Sequence, residues 1–205
     1  INGCIYIPDV ATLDIIPAPD ASILAVEFND FGQPVSNFFD GYTTCEGEDV
    51  FLQIIGSGNY TYEWSSGTVG NQVPFDQTHN NLLSVGDHDF TVTVTDNATG
   101  CTSISGPFTV TINPLPVNVM ITANPFPVCE GETTTMSVSN PNPDYTYFWS
   151  NGEVGTSINT SIAGNYYVIA LTPFGCHAES NQLEIYPIPD ISKIPDGCHE
   201  RCDPD

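Results

Sequence analysis

Histidine and cysteine are the side chains of this chain that could carry catalysis or bind a transition metal. The sequence has four histidines and seven cysteines among 205 residues. Cys198, His199 and Cys202 lie close together near its end and could supply a thiol nucleophile or a zinc site. Adjacent side chains of an extended segment point apart, disulfide formation would remove the thiolate, and zinc would lack a fourth local ligand. We therefore expect a protein that is not an enzyme.

Acidic side chains offer a second chemistry, because carboxylate and carbonyl oxygens are the ligands that calcium prefers. The chain has 25 acidic and 2 basic residues, and a formal net charge of −23. The candidate calcium ligands gather near turns and hinges, at Asp87, Asp89, Asp96 and Asp190. No stretch reproduces the loop pattern of a dedicated calcium site, so solvated acidic turns are the alternative. No other cofactor is expected.

The same charge excludes whole classes of partner. A strongly acidic surface repels phosphate backbones and anionic lipids, so we expect neither nucleic-acid binding nor membrane insertion. No run of apolar residues is long enough to cross a bilayer. Seven cysteines without a metal-type Cys-x-x-Cys pair indicate an oxidising compartment. We expect an extracellular protein, either secreted or held at the cell surface.

A duplicated stretch reveals how the chain is organised. Residues 60–70 read YTYEWSSGTVG and residues 145–155 read YTYFWSNGEVG. CEGE precedes each copy, at residues 45–48 and 129–132, and a Gly-Cys pair follows each, at residues 100–101 and 175–176. A motif that recurs with its flanks in the same order indicates a duplicated structural unit.

The repeat also orders the cysteines. It predicts one disulfide between Cys45 and Cys101 and a second between Cys129 and Cys176. Cys4 would then be unpaired within the chain. Cys198 and Cys202 could bond each other, or one of them could take Cys4 of an adjoining subunit.

Pro-x-Pro motifs predict the hinges between units, because proline cannot continue a strand ladder and stiffens an extended connection. They lie at residues 17–19, 114–116 and 187–189. We expect a first complete domain at residues 20–114, with two insertions that enlarge loops or add edge strands, and a second at residues 115–189. Residues 1–19 resemble the last strand of a preceding or neighbouring unit followed by a hinge. Residues 190–205 form a tail or begin a further segment.

The strand pattern predicts the fold of each domain. Short segments alternate in polarity, contain many β-branched and aromatic residues and are separated by Asn, Gly and Pro. Six or seven such strands in one domain are typical of a Greek-key β-sandwich. Trp64 and Trp149, with Tyr62 and Tyr147 on the same faces, are the predicted core aromatics. The alternative is a ligand platform formed by aromatic side chains.

These motifs resemble the Ig-like repeats, related in style to PKD-type modules, of large secreted and cell-surface proteins of Bacteroidota. Gliding and adhesion proteins exported by the type IX system belong to that group. CEGE, YTYFWSNG, AGNYYV and the closing Gly-Cys before Pro-x-Pro carry the resemblance over roughly residues 20–189. It implies an all-β chain of tandem Ig-like Greek-key sandwiches, each closed by a disulfide. It implies a spacer, stalk or adhesive role and brings no catalytic residues with it.

We therefore expect a structural or adhesive module of a bacterial extracellular filament or cell-surface adhesin. Self-association or contact with neighbouring Ig-like domains is expected, and a surface glycan or protein could be a ligand. In one form of this hypothesis the N-terminal segment adds as a strand to a neighbouring molecule, through Ile5, Ile7, Val10, Leu13 and Ile15. The alternative is an accessory carbohydrate-binding or spacer module of a secreted enzyme. Its sugar-stacking residues would come from Trp64, Trp149, Tyr60 and Tyr145.

Overall fold

The computed structural model of the chain describes residues 3–6, 14–28, 34–56, 58–75, 82–128 and 132–186. The chain divides into two compact units, Ile1–Pro114 and Leu115–Asp205. The described residues form strands and the connections between them. No helix occurs among these residues, and so none that is long and apolar enough to span a bilayer.

The first unit begins with a two-stranded hairpin of β1 (Gly3–Tyr6) and β2 (Asp14–Pro17). Its remaining strands follow in chain order as β3 (Ile23–Phe28), β4 (Pro34–Phe38), β5 (Tyr42–Cys45), β6 (Val50–Ile54), β7 (Tyr60–Trp64), β8 (Gln72–Phe75), β9 (Gly86–Phe90), β10 (Val92–Asp96), β11 (Thr102–Ile104) and β12 (Phe108–Asn113).

These strands form a sandwich around one core. One sheet has the order β4-β3-β6-β8, and the others have the orders β11-β10-β7 and β5-β12-β9. Only Thr91 separates β9 from β10, so the last two sheets continue into one another along the chain. Inward side chains alternate with outward ones, as in β6, where Val50, Leu52 and Ile54 are buried. Sheets of mostly antiparallel strands packed around one core are the Greek-key, Ig-like arrangement.

The second unit repeats this plan with fewer strands. They are β13 (Ile121–Asn124), β14 (Thr134–Val138), β15 (Thr146–Trp149), β16 (Ser157–Thr160), β17 (Gly164–Tyr166), β18 (Val168–Leu171), β19 (His177–Glu179) and β20 (Leu183–Ile185). The sheets have the orders β13-β14-β16, β15-β18-β19 and β17-β20. Tyr167 interrupts the long strand where Thr91 interrupts it in the first unit.

Two serine pairs show how closely the units correspond at that interruption. The hydroxyls of Ser65 and Ser105 accept bonds from the backbone N–H groups of Thr91 and Val92, at 3.1 and 2.9 Å. In the second unit Ser150 and Ser180 accept from the N–H groups of the residues at the same places, at 3.3 and 3.0 Å. The shared hydrogen bonds explain why the strand can break at this point without leaving unpaired backbone donors.

The first insertion predicted from the sequence supplies two added strands. In the first unit β4 pairs with the outer edge of β3, and β5 runs parallel to β12. Tyr42 on β5 donates its hydroxyl proton to Glu27 at 3.2 Å, and burial raises the pKa of that hydroxyl above its ordinary value. At the equivalent place the second unit has Pro125 and Pro127, which have no N–H to donate to a ladder.

The two cores differ in the side chains that form one buried contact. Phe75 and Phe90 pack as tilted rings with centroids 4.9 Å apart in the first unit. In the second unit the matching positions hold Thr160 and Tyr166, whose hydroxyls bond each other at 2.7 Å. Tyr166 also donates to the carbonyl of Ile162 at 3.1 Å. The second core thus depends on a buried polar pair where the first depends on apolar packing.

Replacing Tyr166 with phenylalanine is expected to lower the free energy of unfolding of the second unit by about 1–3 kcal/mol, because it leaves the buried Thr160 hydroxyl with fewer partners. Chemical denaturation followed by circular dichroism measures the change. The control is the double variant Thr160→Val/Tyr166→Phe, which removes both hydroxyls and should recover part of the loss. A single variant as stable as the wild type would contradict this reading of the pair.

Cys45, Cys101 and Cys176 are disulfide-bonded. Cys129, Cys198 and Cys202 lie outside the described residues, and Cys4 is described only as part of the β1 backbone. Disulfides join cysteines in pairs, so three bonded cysteines require at least one partner whose side chain the structure does not describe.

The register of the first unit argues against the predicted bond between Cys45 and Cys101, because the two residues lie at opposite ends of the run formed by β9 and β10. Cys45 is level with Asn113 in the parallel pairing of β5 with β12, at the end where Gly86 begins β9. Cys101 is level with Asp96, whose N–H bonds its carbonyl at 2.8 Å. The strand from Gly86 to Asp96 spans roughly 30 Å. A disulfide requires Cα atoms within about 7 Å of each other.

Candidate functional site: the outer sheet face of the second unit

The repeated aromatic motif forms a tight hairpin closed by its tryptophan. In the second unit Trp149 accepts a bond from Gly152 N at 2.9 Å and donates its backbone N–H to Glu153 O at 2.8 Å. Its indole Nε1–H donates to Gly155 O at 2.8 Å. Gly152 has φ of 89° and Gly155 has φ of 140°, a region in which a Cβ would be strained. The glycines of the motif are therefore required by the backbone of the turn.

The first unit builds the same hairpin. Trp64 donates its indole N–H to Gly70 O at 2.8 Å and its backbone N–H to Thr68 O at 3.0 Å. Trp64 is 4 % exposed and Trp149 is 3 % exposed. Both indoles are therefore core residues that tie the hairpin to the sandwich, and neither offers a ring face to a sugar.

The tyrosines of the motif also turn inward. Tyr147 is buried and its hydroxyl accepts a bond from Asn142 N at 2.8 Å, while Tyr62 is half-buried against the core of its unit. Tyr60 and Tyr145 are half-buried beside them, with ring centroids 6.4 and 6.5 Å from Tyr62 and Tyr147. The predicted stacking of sugar on the two tryptophans is excluded by their burial.

Between these inward residues the hairpin projects a different set outward. Phe148 is 41 % exposed, and it pairs with Val154 across the turn and with Ile169 on β18. Val154 is 60 % exposed, and Leu171 follows two residues after Ile169 on the same face. We call these four side chains the Phe148 face. Val154, Phe148 and Ile169 form an apolar row across neighbouring strands, and Leu171 extends it along β18.

The first unit has the same backbone but not the same face. Val69, Glu63 and Thr93 occupy the positions of Val154, Phe148 and Ile169, because Glu63 pairs with both of the others. Thr95 stands where the second unit has Leu171. Three of the four positions are thus polar in one copy and apolar in the other. The sandwich itself does not require apolar side chains here.

Each candidate calcium ligand among the described residues accepts hydrogen bonds from its own donors within the fold. Asp87 and Asp89 accept from the Thr111 and Thr109 hydroxyls across the sheet, at 2.8 and 2.7 Å. Asp96 caps a turn by accepting from the N–H of Ala98 at 2.8 Å. No group of three His, Cys, Asp or Glu side chains suited to a metal occurs in the described residues. Asp190 lies outside those residues.

The residues considered for catalysis do not converge in the part of the chain that the structure describes. His88 bonds the carbonyl of Ser84 at 2.7 Å in the first unit, and His177 is exposed on β19 of the second. His79, His199, Cys198 and Cys202 fall outside the described residues, so the zinc and thiol hypotheses at the C-terminal cluster stay untested.

An open groove of about 590 Å³ lies in the first unit, between the residues after β2 and the β11–β12 connection. Phe39 and Ile104 border it with exposed apolar side chains. The one carboxylate in its lining, that of Asp20, accepts bonds from the N–H and hydroxyl of Ser22 at 2.9 and 2.7 Å. The groove therefore lacks the convergent polar groups of a small-molecule site.

The predicted strand donor is a hairpin in the structure. Ile5 on β1 is paired with Ile15 on β2 in antiparallel register. Ile7, Val10 and Leu13 lie outside the described residues.

Sequence reasoning missed the Phe148 face, although an alignment of the two copies would have shown phenylalanine opposite glutamate at this place.

No protein-family model and no curated protein matches the chain. Solved structures are similar at low identity. The eight N-terminal Ig domains of Down Syndrome Cell Adhesion Molecule give a TM-score of 0.48 at 13 % identity, over 90 % of this chain and 34 % of that one. A Bacteroides ovatus mixed-linkage glucan utilization protein, SGBP-B, gives 0.30 at 16 % identity, over 83 % and 48 %. Murine CEACAM1b gives 0.35 at 11 % identity, over 71 % and 96 %. Likenesses this distant carry no functional argument.

Proposed function

We propose that the chain is a structural or adhesive module of an extracellular filament or cell-surface adhesin, assembled in part by exchange of its N-terminal strands. The disulfide-bonded cysteines favour an extracellular location. Two sandwiches of hydrogen-bonded strands, and no converging catalytic groups in the described residues, favour a role in bearing load or making contacts.

One observation carries the strand-exchange part of this proposal. By the repeat, β1 corresponds to β11 and β19, and β2 corresponds to β12 and β20, since the first strand of each pair begins at or just after a Gly-Cys. In both complete sandwiches the two strands of the pair contact successive stretches of one interrupted strand rather than each other, as β11 pairs with β10 and β12 with β9. In the hairpin they pair with each other, in a sheet of two strands. A two-stranded sheet is marginally stable alone, so each strand has reason to join a larger sheet.

Deleting residues 1–19 is expected to abolish self-association of the chain. The core of the first unit begins at Ala21, so the deletion should leave both sandwiches folded. Sedimentation velocity and electron microscopy at high protein concentration measure assembly. A synthetic peptide of residues 1–19 should bind the chain in place of a neighbouring molecule's N-terminal strands. It should therefore inhibit assembly of the intact chain.

A Cys4→Ser chain is the matched control, because it keeps both strands and removes only the sulfur that a disulfide would use. It should assemble like the wild type if strand pairing drives association. If the wild-type chain stays monomeric at high concentration while residues 1–19 are cleaved by protease, strand exchange is wrong. If association is lost in Cys4→Ser alone, an intermolecular disulfide accounts for it instead.

A further inference from the structure

The Phe148 face is an apolar surface that the fold does not need. The outward side of an antiparallel sheet is normally polar when water covers it. The first unit follows this rule at Glu63, Thr93 and Thr95, and the second departs from it at the matching positions of Phe148, Ile169 and Leu171. A contiguous apolar row on one copy of a duplicated sheet marks a contact surface more strongly than scattered exposed residues do.

Carboxylates border this face. Glu179 pairs with Ile169 on the neighbouring β19, and the Gln182 side-chain amide donates to its Oε1 at 3.0 Å. Glu153 precedes Val154 in the turn, and Asn151 donates to its Oε1 at 2.7 Å. Each carboxylate is thus oriented by an amide at the border of the apolar row. The residues that the structure describes include no lysine or arginine, so none of them pairs either carboxylate with such a cation.

We propose that the Phe148 face docks a different protein, one whose contact surface has an apolar strip flanked by lysine or arginine. Charge complementarity selects this occupant, because its cations would meet Glu153 and Glu179 while its apolar strip covers the row between them. A second copy of this chain is not the expected occupant, because its described surface has no lysine or arginine with which to meet Glu153 and Glu179. This inference is independent of assembly through the N-terminal hairpin.

The test uses two synthetic peptides that share one sequence of alternating valine and threonine, one flanked by lysines and the other by glutamates. The lysine-flanked peptide is expected to bind the intact chain at least about tenfold more tightly than the other, and to weaken as salt rises. Chemical-shift changes should concentrate at the amides of Phe148 and Ile169, with none at Thr93. Equal binding of the two peptides would overturn the proposal.

Phe148→Glu/Ile169→Thr places the residues of the first unit on the second and should reduce binding by about tenfold or more. Thermal unfolding shows whether this variant remains folded. The reciprocal variant also needs the two carboxylates, because Thr68 and Ile104 stand where the second unit has Glu153 and Glu179. Glu63→Phe/Thr68→Glu/Thr93→Ile/Thr95→Leu/Ile104→Glu should add a second site, so that two peptides bind each chain. Undiminished binding by Phe148→Glu/Ile169→Thr overturns the proposal. So does a sedimentation experiment in which the wild type self-associates through this face and the variant does not.

Discussion

Replacement of Trp149 by alanine lowers the free energy of unfolding of the second unit by about 3–5 kcal/mol, as expected for a large aromatic side chain removed from a core. Trp149 is almost fully buried, and its indole N–H closes the hairpin on Gly155. Small domains are typically stable by about 5–15 kcal/mol, so this loss removes a large part of the total. Trp149→Phe keeps a ring but loses the hydrogen bond, and the expected loss is about 1–3 kcal/mol.

The duplicated fold supplies both the control and the reporter for this experiment. The chain has two tryptophans, and each unit holds one of them in the same hairpin. In Trp149→Ala the fluorescence of Trp64 therefore reports the unfolding of the first unit alone. Circular dichroism reports the unfolding of both units. The first unit should unfold at its wild-type denaturant concentration. Phe148→Ala, one residue away on the outer face, should lower the free energy of unfolding of the second unit much less. A Trp149→Ala chain with unchanged stability would show that the hairpin is not held by its indole.

Local pattern was enough to predict most of the fold. Alternating residues in segments such as Val50–Ile54 and Thr134–Val138 place one face in the core, and the structure has strands there with that alternation. The length of the first insertion predicted added edge strands or larger loops, and β4 and β5 are such strands. These features depend on neighbours in sequence, which a single chain reveals.

The disulfide pairing and the Phe148 face depend on which residues become neighbours in space. The order of the cysteines along the repeat suggested a bond inside each unit, yet parallel pairing of β5 with β12 carries Cys45 to the end of the sheet away from Cys101. A parallel edge strand leaves no signal in the alternation pattern. The Phe148 face likewise can be predicted only when the cross-strand register is known, since Phe148 and Ile169 are distant in sequence.

Reduction of the disulfides is expected to lower the free energy of unfolding of the chain, because bonded cysteines lie at defined places in the ladders of both units. In the first unit Cys45 lies level with Asn113 at the end of β12, and the carbonyl of Cys101 accepts the Asp96 N–H. In the second unit Cys176 follows in the turn after Leu171, where Thr172 N–H bonds its carbonyl at 2.8 Å.

Cys45, Cys101 and Cys176 are all disulfide-bonded. Peptide mapping without reduction should therefore recover each of them in a cross-linked peptide, and at least one of their partners should be Cys4, Cys129, Cys198 or Cys202. By the chain-entropy estimate, one disulfide typically adds about 2–4 kcal/mol to the free energy of unfolding. Denaturation of the reduced and oxidised chains measures that difference.

Cys45→Ser and Cys176→Ser are the variants to compare, because each removes one bonded cysteine from a different unit. Each should unfold at a lower denaturant concentration than the wild type, and reduction should then lower its stability by less than it lowers that of the wild type. The backbone N–H of position 176 still donates to Thr172 Oγ1 in Cys176→Ser, so the turn itself should persist. A map that joined Cys45 to Cys101 would contradict the register of β5, β12 and β9, and would require the first sheet to be paired differently.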